Sequence, residues 1–469
     1  MSSRTASLTS LPPANAHPLE LLLRPLWPVA VVEDAASTVA SGARVVSRTG
    51  VGSRTWLRAR DWHLFARPLF ERLEPSDETI ETFAVDGGEA VHARFDRDTG
   101  DIVVPFSLSE AYAGYVSEAW REASSHLSLS PAQLNAFYRV KALIPAVVRL
   151  AARRLLVRAQ GLPDFPAWPL DTSVSRLLAF FARCALRAAG RAEGDFLWFW
   201  PSGFKAAVIL THDVEGEDGI RLAFELADLE EEHGFRSSFN FGAWYDVDPG
   251  VLRELRGRGF EVGMHGLSHD RELFSSRTAF EERLPALARL AERLGAIGFR
   301  SPATHRVFEW LAELPVDYDC TLPNSDPYEP QPGGCCSVHP FFVGSVVELP
   351  YTLPQDHTLL TLLGHRSPRL WLEQAAVIER EYGLIQCVSH PDPGYLGDRD
   401  KRAIYAELLR GLADRRNLWR ALPKEVAAWW RRRASAATTD EGLPRGRVRL
   451  HDGPDGIAIE PPTEQEPAA

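Results

Sequence analysis

Ala206-Ala207-Val208-Ile209-Leu210-Thr211-His212-Asp213-Val214-Glu215 is a continuous apolar run that ends in two acids. A short run with no polar interruption fits a strand buried on both faces, and it delivers Thr211 to Glu215 at its C-terminal end. If residues 213 to 215 stay extended, the two-residue period of a strand puts both carboxylates on one side. Three further segments repeat the pattern. Phe260-Glu261-Val262-Gly263-Met264 runs into His265-Gly266-Leu267-Ser268-His269, Ile297-Gly298-Phe299 into Arg300-Ser301-Pro302, and Leu384-Ile385-Gln386-Cys387-Val388 into Ser389-His390-Pro391. Polar chemistry thus recurs where strands stop and loops begin, the edge that hosts sites in parallel α/β folds.

Helical stretches separate the strands. Asp218 to His233 carries Ile220, Phe224 and Ala227 at helical spacing, and Arg277 to Leu294 repeats Leu284, Leu287, Leu290 and Leu294. Further candidate strands lie at Arg236 to Phe241, Asp317 to Thr321 and Val346 to Leu349. The alternation predicts an α/β fold, a (β/α) barrel-like array of roughly seven or eight strands, from about Ala206 to about Arg416.

His265 and His269 are four residues apart, so a helical turn there would put both on one face, able to share one metal ion, with a carboxylate from elsewhere completing the set. The set points to a single metal ion and hydrolytic chemistry.

From about Phe196 to Trp430, these motifs resemble the polysaccharide deacetylases, the family of the NodB homology domain and carbohydrate esterase family 4. The resemblance implies an irregular (β/α) barrel of about seven strands with an additional N-terminal α+β region. It implies Asp213 as general base, Glu215, His265 and His269 as metal ligands, and Arg300 as the group orienting the base. His390 would be the general acid, with Asp326 as its supporting aspartate and Asp392 as the alternative. A backbone N–H near Pro302 or Ala303 would help hold the oxyanion. The implied cofactor is one divalent ion, zinc first, with Co, Mn, Fe or Ni able to fill the same shell. The implied reaction is hydrolysis of an N-acetyl amide on an amino sugar or glycan. Hydrolysis of another linear or cyclic C–N bond is the alternative, as is a catalytically silent glycan-binding protein. The chain departs from the family where adjacent aspartates are common, having Asp213-Val214-Glu215, and has Ala303 where an aromatic residue often follows the Arg-x-Pro motif.

The breaker-rich stretch Asn324 to Cys336 must be a long loop, either lining the substrate groove with Tyr328 as a stacking surface or serving as a structural plug. His212 reads as a packed neighbour of its strand, and His305 and His357 receive no role. The five cysteines are odd in number and scattered, which predicts reduced thiols.

The 469 residues, 45% hydrophobic, leave room for more than the barrel. Residues 1–40 are expected to be a flexible N-terminus, 41–195 an α+β accessory region, 196–432 the barrel and 433–469 a tail. Ala90 to Phe95 and Asp101 to Phe106 predict a hairpin, as does Arg447 to Ile459, while Tyr112 to Gly161 reads mostly helical. Leu21 to Leu23 is too short for the core of a secretory signal, and no run reaches the length of a membrane span, so a cytoplasmic protein is expected. A net charge of −11 makes no electrostatic case for nucleic acid. Basic residues gather at Arg139 to Arg158 and at Trp429-Trp430-Arg431-Arg432-Arg433. They are expected along the edges of packed helices, with peripheral contact to an anionic membrane surface as the alternative.

Overall fold

The computed structural model describes residues 17–33, 44–60, 62–123, 148, 151–155, 157, 161–436, 442–453 and 455–462. The chain divides into two compact units, one made of Met1–Ala123, Thr172–Lys205 and Ala428–Ala469, the other of Ser124–Asp171 and Ala206–Ala427.

The second unit carries the motifs. Its wall is a run of parallel neighbours in the order Leu384–Ser389, Ala206–Val214, Ser238–Phe241, Glu261–Met264, Gly298–Phe299, Tyr318–Asp319 and Val346–Glu348. Seven parallel strands therefore form the predicted curled α/β sheet. Phe341–Val343 adds an antiparallel edge to Val346–Glu348, and Leu418–Arg420 pairs with the start of Ala206–Val214. The ring is joined by backbone beyond the last ladder: the N–H groups of Thr352 and Leu353 donate to the Gln386 carbonyl at 3.3 and 3.1 Å.

Every residue of Ala206–Val214 is buried, as its unbroken apolar run requires. The helices between strands fall where the periodicity placed them, at Glu217–Glu232 and Arg277–Leu294. The latter is capped by Ser276, whose Oγ accepts from Ala279 N at 3.1 Å, and ends at Gly295 in the left-handed region.

In the first unit, a seven-stranded sheet runs in the order Ala30–Glu33, Arg44–Ser47, Ile102–Val104, Val91–Phe95, Glu78–Val85, Thr55–Ala59 and Trp62–Ala66. The helix Ser173–Ala188 covers it, and Phe83, Phe106 and Phe180 pack with ring centroids 5.1 to 6.2 Å apart. The two predicted hairpins are present as Val91–Phe95 with Ile102–Val104 and Arg445–Leu450 with Ile457–Glu460. The second hairpin extends to Glu193–Leu197 as a three-stranded sheet, so the expected tail is structured here.

Residues 17–33, expected to be flexible, include the helix Pro18–Leu23, whose Leu19 and Leu23 are fully buried. Leu19, Leu22 and Leu23 anchor this short helix. Arg433 is also corrected. It lies buried and donates to the carbonyls of Leu21, Leu22, Leu197 and Trp198 at 2.7 to 3.0 Å, so it is unavailable to a membrane surface. Most of Arg139 to Arg158, and of the helical reading of Tyr112 to Gly161, lies outside the described residues. Among the described residues no helix is long and apolar enough to cross a membrane. The five cysteines are reduced thiols, and all are buried.

Candidate metal centre and active site

Strand ends bring the motifs together. Val214 is fully buried between Asp213 and Glu215, so the two acids share the opposite side of an extended segment. Glu215 Oε1 lies 2.9 Å from His269 Nε2, and one donor atom each from Glu215, His265 and His269 falls within 4.8 Å of the others. His265 is buried, and its Nδ1 sits 3.1 Å from the Arg300 carbonyl. A proton on Nδ1 satisfies that bond and leaves the Nε2 lone pair free. Among the described residues, the buried Nε2 has no hydrogen-bond partner. An imidazole tethered through one nitrogen with the other left bare is the usual arrangement of a metal-ligating histidine. Two imidazole nitrogens and a carboxylate oxygen fit a divalent transition ion with open positions for water and substrate.

The expected helical turn between the histidines is absent. His265 ends the strand Glu261–Met264, and the chain then bends through Gly266 at φ 94°. A Cβ on Gly266 would stand 3.1 Å from Pro302 Cδ, so the bend also lets the His-x-x-x-His loop lie against the Arg-x-Pro segment. The imidazoles meet because the loop folds back, with ring centroids 6.0 Å apart.

Asp213 is held by Asn240, whose Nδ2 donates to Oδ1 at 2.8 Å, and it lies 3.8 Å from His265 Nδ1. Gly263 makes room for that amide, since a Cβ there would come within 2.0 Å of Asn240 Oδ1. Burial would raise the Asp213 pKa, but His265, Arg300, His390 and the Asn240 bond outweigh it and hold the carboxyl below its ordinary value. Arg300 is fully buried and acts through its field. Its Nη2 donates to Thr211 Oγ1 at 3.1 Å, and the Gln386 amide, turned to satisfy its neighbours, accepts from Nη2 at 2.8 Å. No ion pair joins Arg300 to Asp213 among the described residues, so the side chain that grips the expected base is Asn240.

His390 also has a partner that the sequence did not reveal. Its Nδ1 lies 2.8 Å from Asp356 Oδ1, while its backbone N–H donates to Asp356 Oδ2 at 3.0 Å. Burial disfavours the imidazolium, yet the Asp356 carboxylate outweighs it and lifts the His390 pKa to about 10. Asp326, expected in this role, instead accepts from Tyr351 OH at 3.1 Å and Tyr328 N at 2.8 Å. It is fixed inside its own loop by the pairing of residues 326 and 333. Asp392, the alternative, accepts the Glu215 N–H at 3.0 Å and lies against the first turn of the helix Glu217–Glu232, where a carboxylate complements the helix dipole.

Pro302 and Ala303 begin a tight 3₁₀ turn, Pro302–Thr304, in which Ala303 and Thr304 take φ values of 49° and 52°. Two consecutive non-glycine residues in the left-handed region are uncommon and mark a strained loop. Tyr328 is half-buried, its ring edge-on to Trp168 at 5.2 Å. His212 is packed, as expected, but also bonded: Nδ1 lies 2.8 Å from Ser389 Oγ and Nε2 2.7 Å from Glu230 Oε1. It ties the strand carrying Asp213 to the strand carrying His390.

No family model and no curated relative matches this sequence. Solved structures similar to the chain include a polysaccharide deacetylase candidate from Mycobacterium smegmatis, at 20% identity, TM-score 0.41, over 50% of this chain and 93% of that one. The Puue allantoinase aligns at 15% identity and TM-score 0.40, over 50% and 92%. A mutant of the peptidoglycan deacetylase PdaC from Bacillus subtilis aligns at 12% identity and TM-score 0.31, over 48% and 90%. At these scores the roles of individual side chains rest on the geometry above.

Proposed function

We propose that this chain is a metal-dependent hydrolase of a carbon–nitrogen bond, removing the acetyl group from an N-acetylated amino sugar or glycan. The observation that carries the reading is the buried, unpartnered Nε2 of His265 beside Glu215 and His269. Glu215, His265 and His269 would hold the ion, which when bound supplies an acidified water and polarises the acyl oxygen.

The chain's own groups divide the remaining work. Asp213, aligned by Asn240, takes a proton from the attacking water. His390, kept protonated by Asp356, has its Nε2 3.9 Å from Glu215 Oε1, a distance that supports transfer of its proton to the departing nitrogen in the same cleft. Two proton carriers are needed because water is a poor nucleophile and an amine a poor leaving group. The buried Arg300 guanidinium, whose pKa stands above its ordinary value because the field of Asp213 and its neighbours outweighs the cost of burial, steadies the negative charge of the base. The backbone of the Pro302–Thr304 turn would face the developing oxyanion.

The test is metal content by mass spectrometry on protein purified without chelator or metal-affinity resin, followed by acetate release from a panel of N-acetylated amino sugars. About one equivalent of transition metal, lost in a His265→Ala/His269→Ala double variant, together with acetate release, is the expected result. A wild type that neither contains metal nor can be loaded with it would sink the reading.

A further inference from the structure

Three side chains beside His390 have no part in the reaction above. The Tyr395 ring lies 4.7 Å from the His390 ring, and the His357 ring lies 5.8 Å from that of Tyr395. His357 Nδ1 is 4.0 Å from Glu329 Oε1, beyond hydrogen-bond reach. Glu329 faces the same space, since the charges of His390 and Glu215 both act on its carboxyl. The Glu329 side chain is only 5% exposed, yet among the described residues no donor reaches its carboxylate, and none of them bonds the Tyr395 hydroxyl.

Burying a carboxylate without donors is costly, and a ligand that brings donors offsets that cost. His357 opens a π-helical turn, His357–Leu362, directly after Asp356, the residue that holds His390. Wide turns of this kind collect at functional sites because they re-aim side chains. Position decides which half of the ligand is met: these groups flank the histidine that would protonate the departing nitrogen, so they face the amine half. Charge decides its chemistry. Arg153 and Arg306 already act on Glu329, which disfavours a further cation, whereas hydroxyls can donate to the carboxylate and either donate to or accept from tyrosine and imidazole.

We propose that Glu329, His357 and Tyr395 form a subsite for the amine half of the substrate, a polyhydroxylated ring whose hydroxyls bond Glu329 and whose face lies on Tyr395. The assignment to the amine half rests on the hydrolase reading; the binding chemistry does not.

The experiment is a titration of the wild type and of Glu329→Gln and Tyr395→Leu with glucosamine at pH 7.5, followed by ligand-observed NMR. Cyclohexylamine serves as the control, sharing the ammonium but lacking the hydroxyls. The expected result is binding of glucosamine to the wild type, weakened about tenfold in each variant, with cyclohexylamine failing to bind. Thermal melts confirm that the variants are folded. Equal binding by folded variants, equal binding of cyclohexylamine, or no binding of glucosamine by the wild type overturns the subsite. If glucosamine behaves as expected while metal and acetate release are both absent, the hydrolase reading fails and the subsite stands.

Discussion

Asp356 grips His390 twice, one oxygen on the ring Nδ1 at 2.8 Å and the other on the backbone N–H at 3.0 Å. A carboxylate bound in this way fixes both the position and the charge of the imidazole. Asp356→Asn keeps the shape and removes the charge. Burial then dominates, the His390 pKa falls, and its proton is lost at lower pH. We expect kcat for acetate release to drop by roughly a hundredfold, with the alkaline limb of its pH profile moved to lower pH and KM little changed. An unaltered alkaline limb would count against the pairing.

Asn240 allows the proposed base to be tested apart from the proposed metal ligands. Its amide reaches Asp213 and none of the three ligands. Asn240→Ala is expected to lower kcat by roughly ten- to a hundredfold while the metal content, read by mass spectrometry, stays at the wild-type level. Loss of the ion in this variant would show that Asp213 belongs to the coordination set.

Gly266 is tested through stability. At φ 94°, with Pro302 Cδ 3.1 Å from any added Cβ, Gly266→Ala strains the backbone and pushes the two loops apart. A loss of roughly 1–3 kcal/mol is expected in denaturant titrations, accompanied by weaker metal retention because His265 and His269 flank the bend. A variant as stable as the wild type would remove the steric argument.

Glu261 predicts a pH dependence away from the site. Burial raises its pKa from 4.5 to about 7, although Lys424 N and Tyr318 OH both donate to it. The folded chain therefore keeps a proton that the unfolded chain releases, and stability falls as pH rises from about 4.5 to about 7. Over that window the wild type should lose up to roughly 3 kcal/mol more than Glu261→Gln. Parallel stability curves for the two proteins would refute the assignment.

The barrel and the meeting of Glu215, His265 and His269 were legible because each depends on local pattern. An unbroken apolar run announces a doubly buried strand, and the residues that follow it occupy the edge where sites form. Asp356 was not legible, since its link to His390 spans 34 residues and passes through a π-helical turn that has no periodic signature. Asp326 drew the assignment instead because it sits in a conspicuous loop. Asn240 was hidden in the same way: on Ser-Phe-Asn-Phe it reads as one polar residue in a short strand, and its role appears only when strand register sets it opposite Asp213. The helical turn between His265 and His269 failed for a different reason. Spacing cannot distinguish one turn of helix from a bend at glycine.

The join at Thr352, Leu353 and Gln386 differs from the rest of the ring, because a side chain carries half of it: two N–H groups share the Gln386 carbonyl, while Thr352 Oγ1 donates to Leu384 O at 2.7 Å and accepts from Gln386 N at 2.9 Å. The wall thus has a built-in seam. Amide exchange should begin at Thr352 and Leu353 before it reaches the buried strand Ala206–Val214, and Asp356 sits only a few residues beyond that seam. Breathing of the barrel would therefore loosen the grip on His390 while leaving Glu215, His265 and His269 in place, so an ion held by those three would survive excursions that disarm the proposed acid.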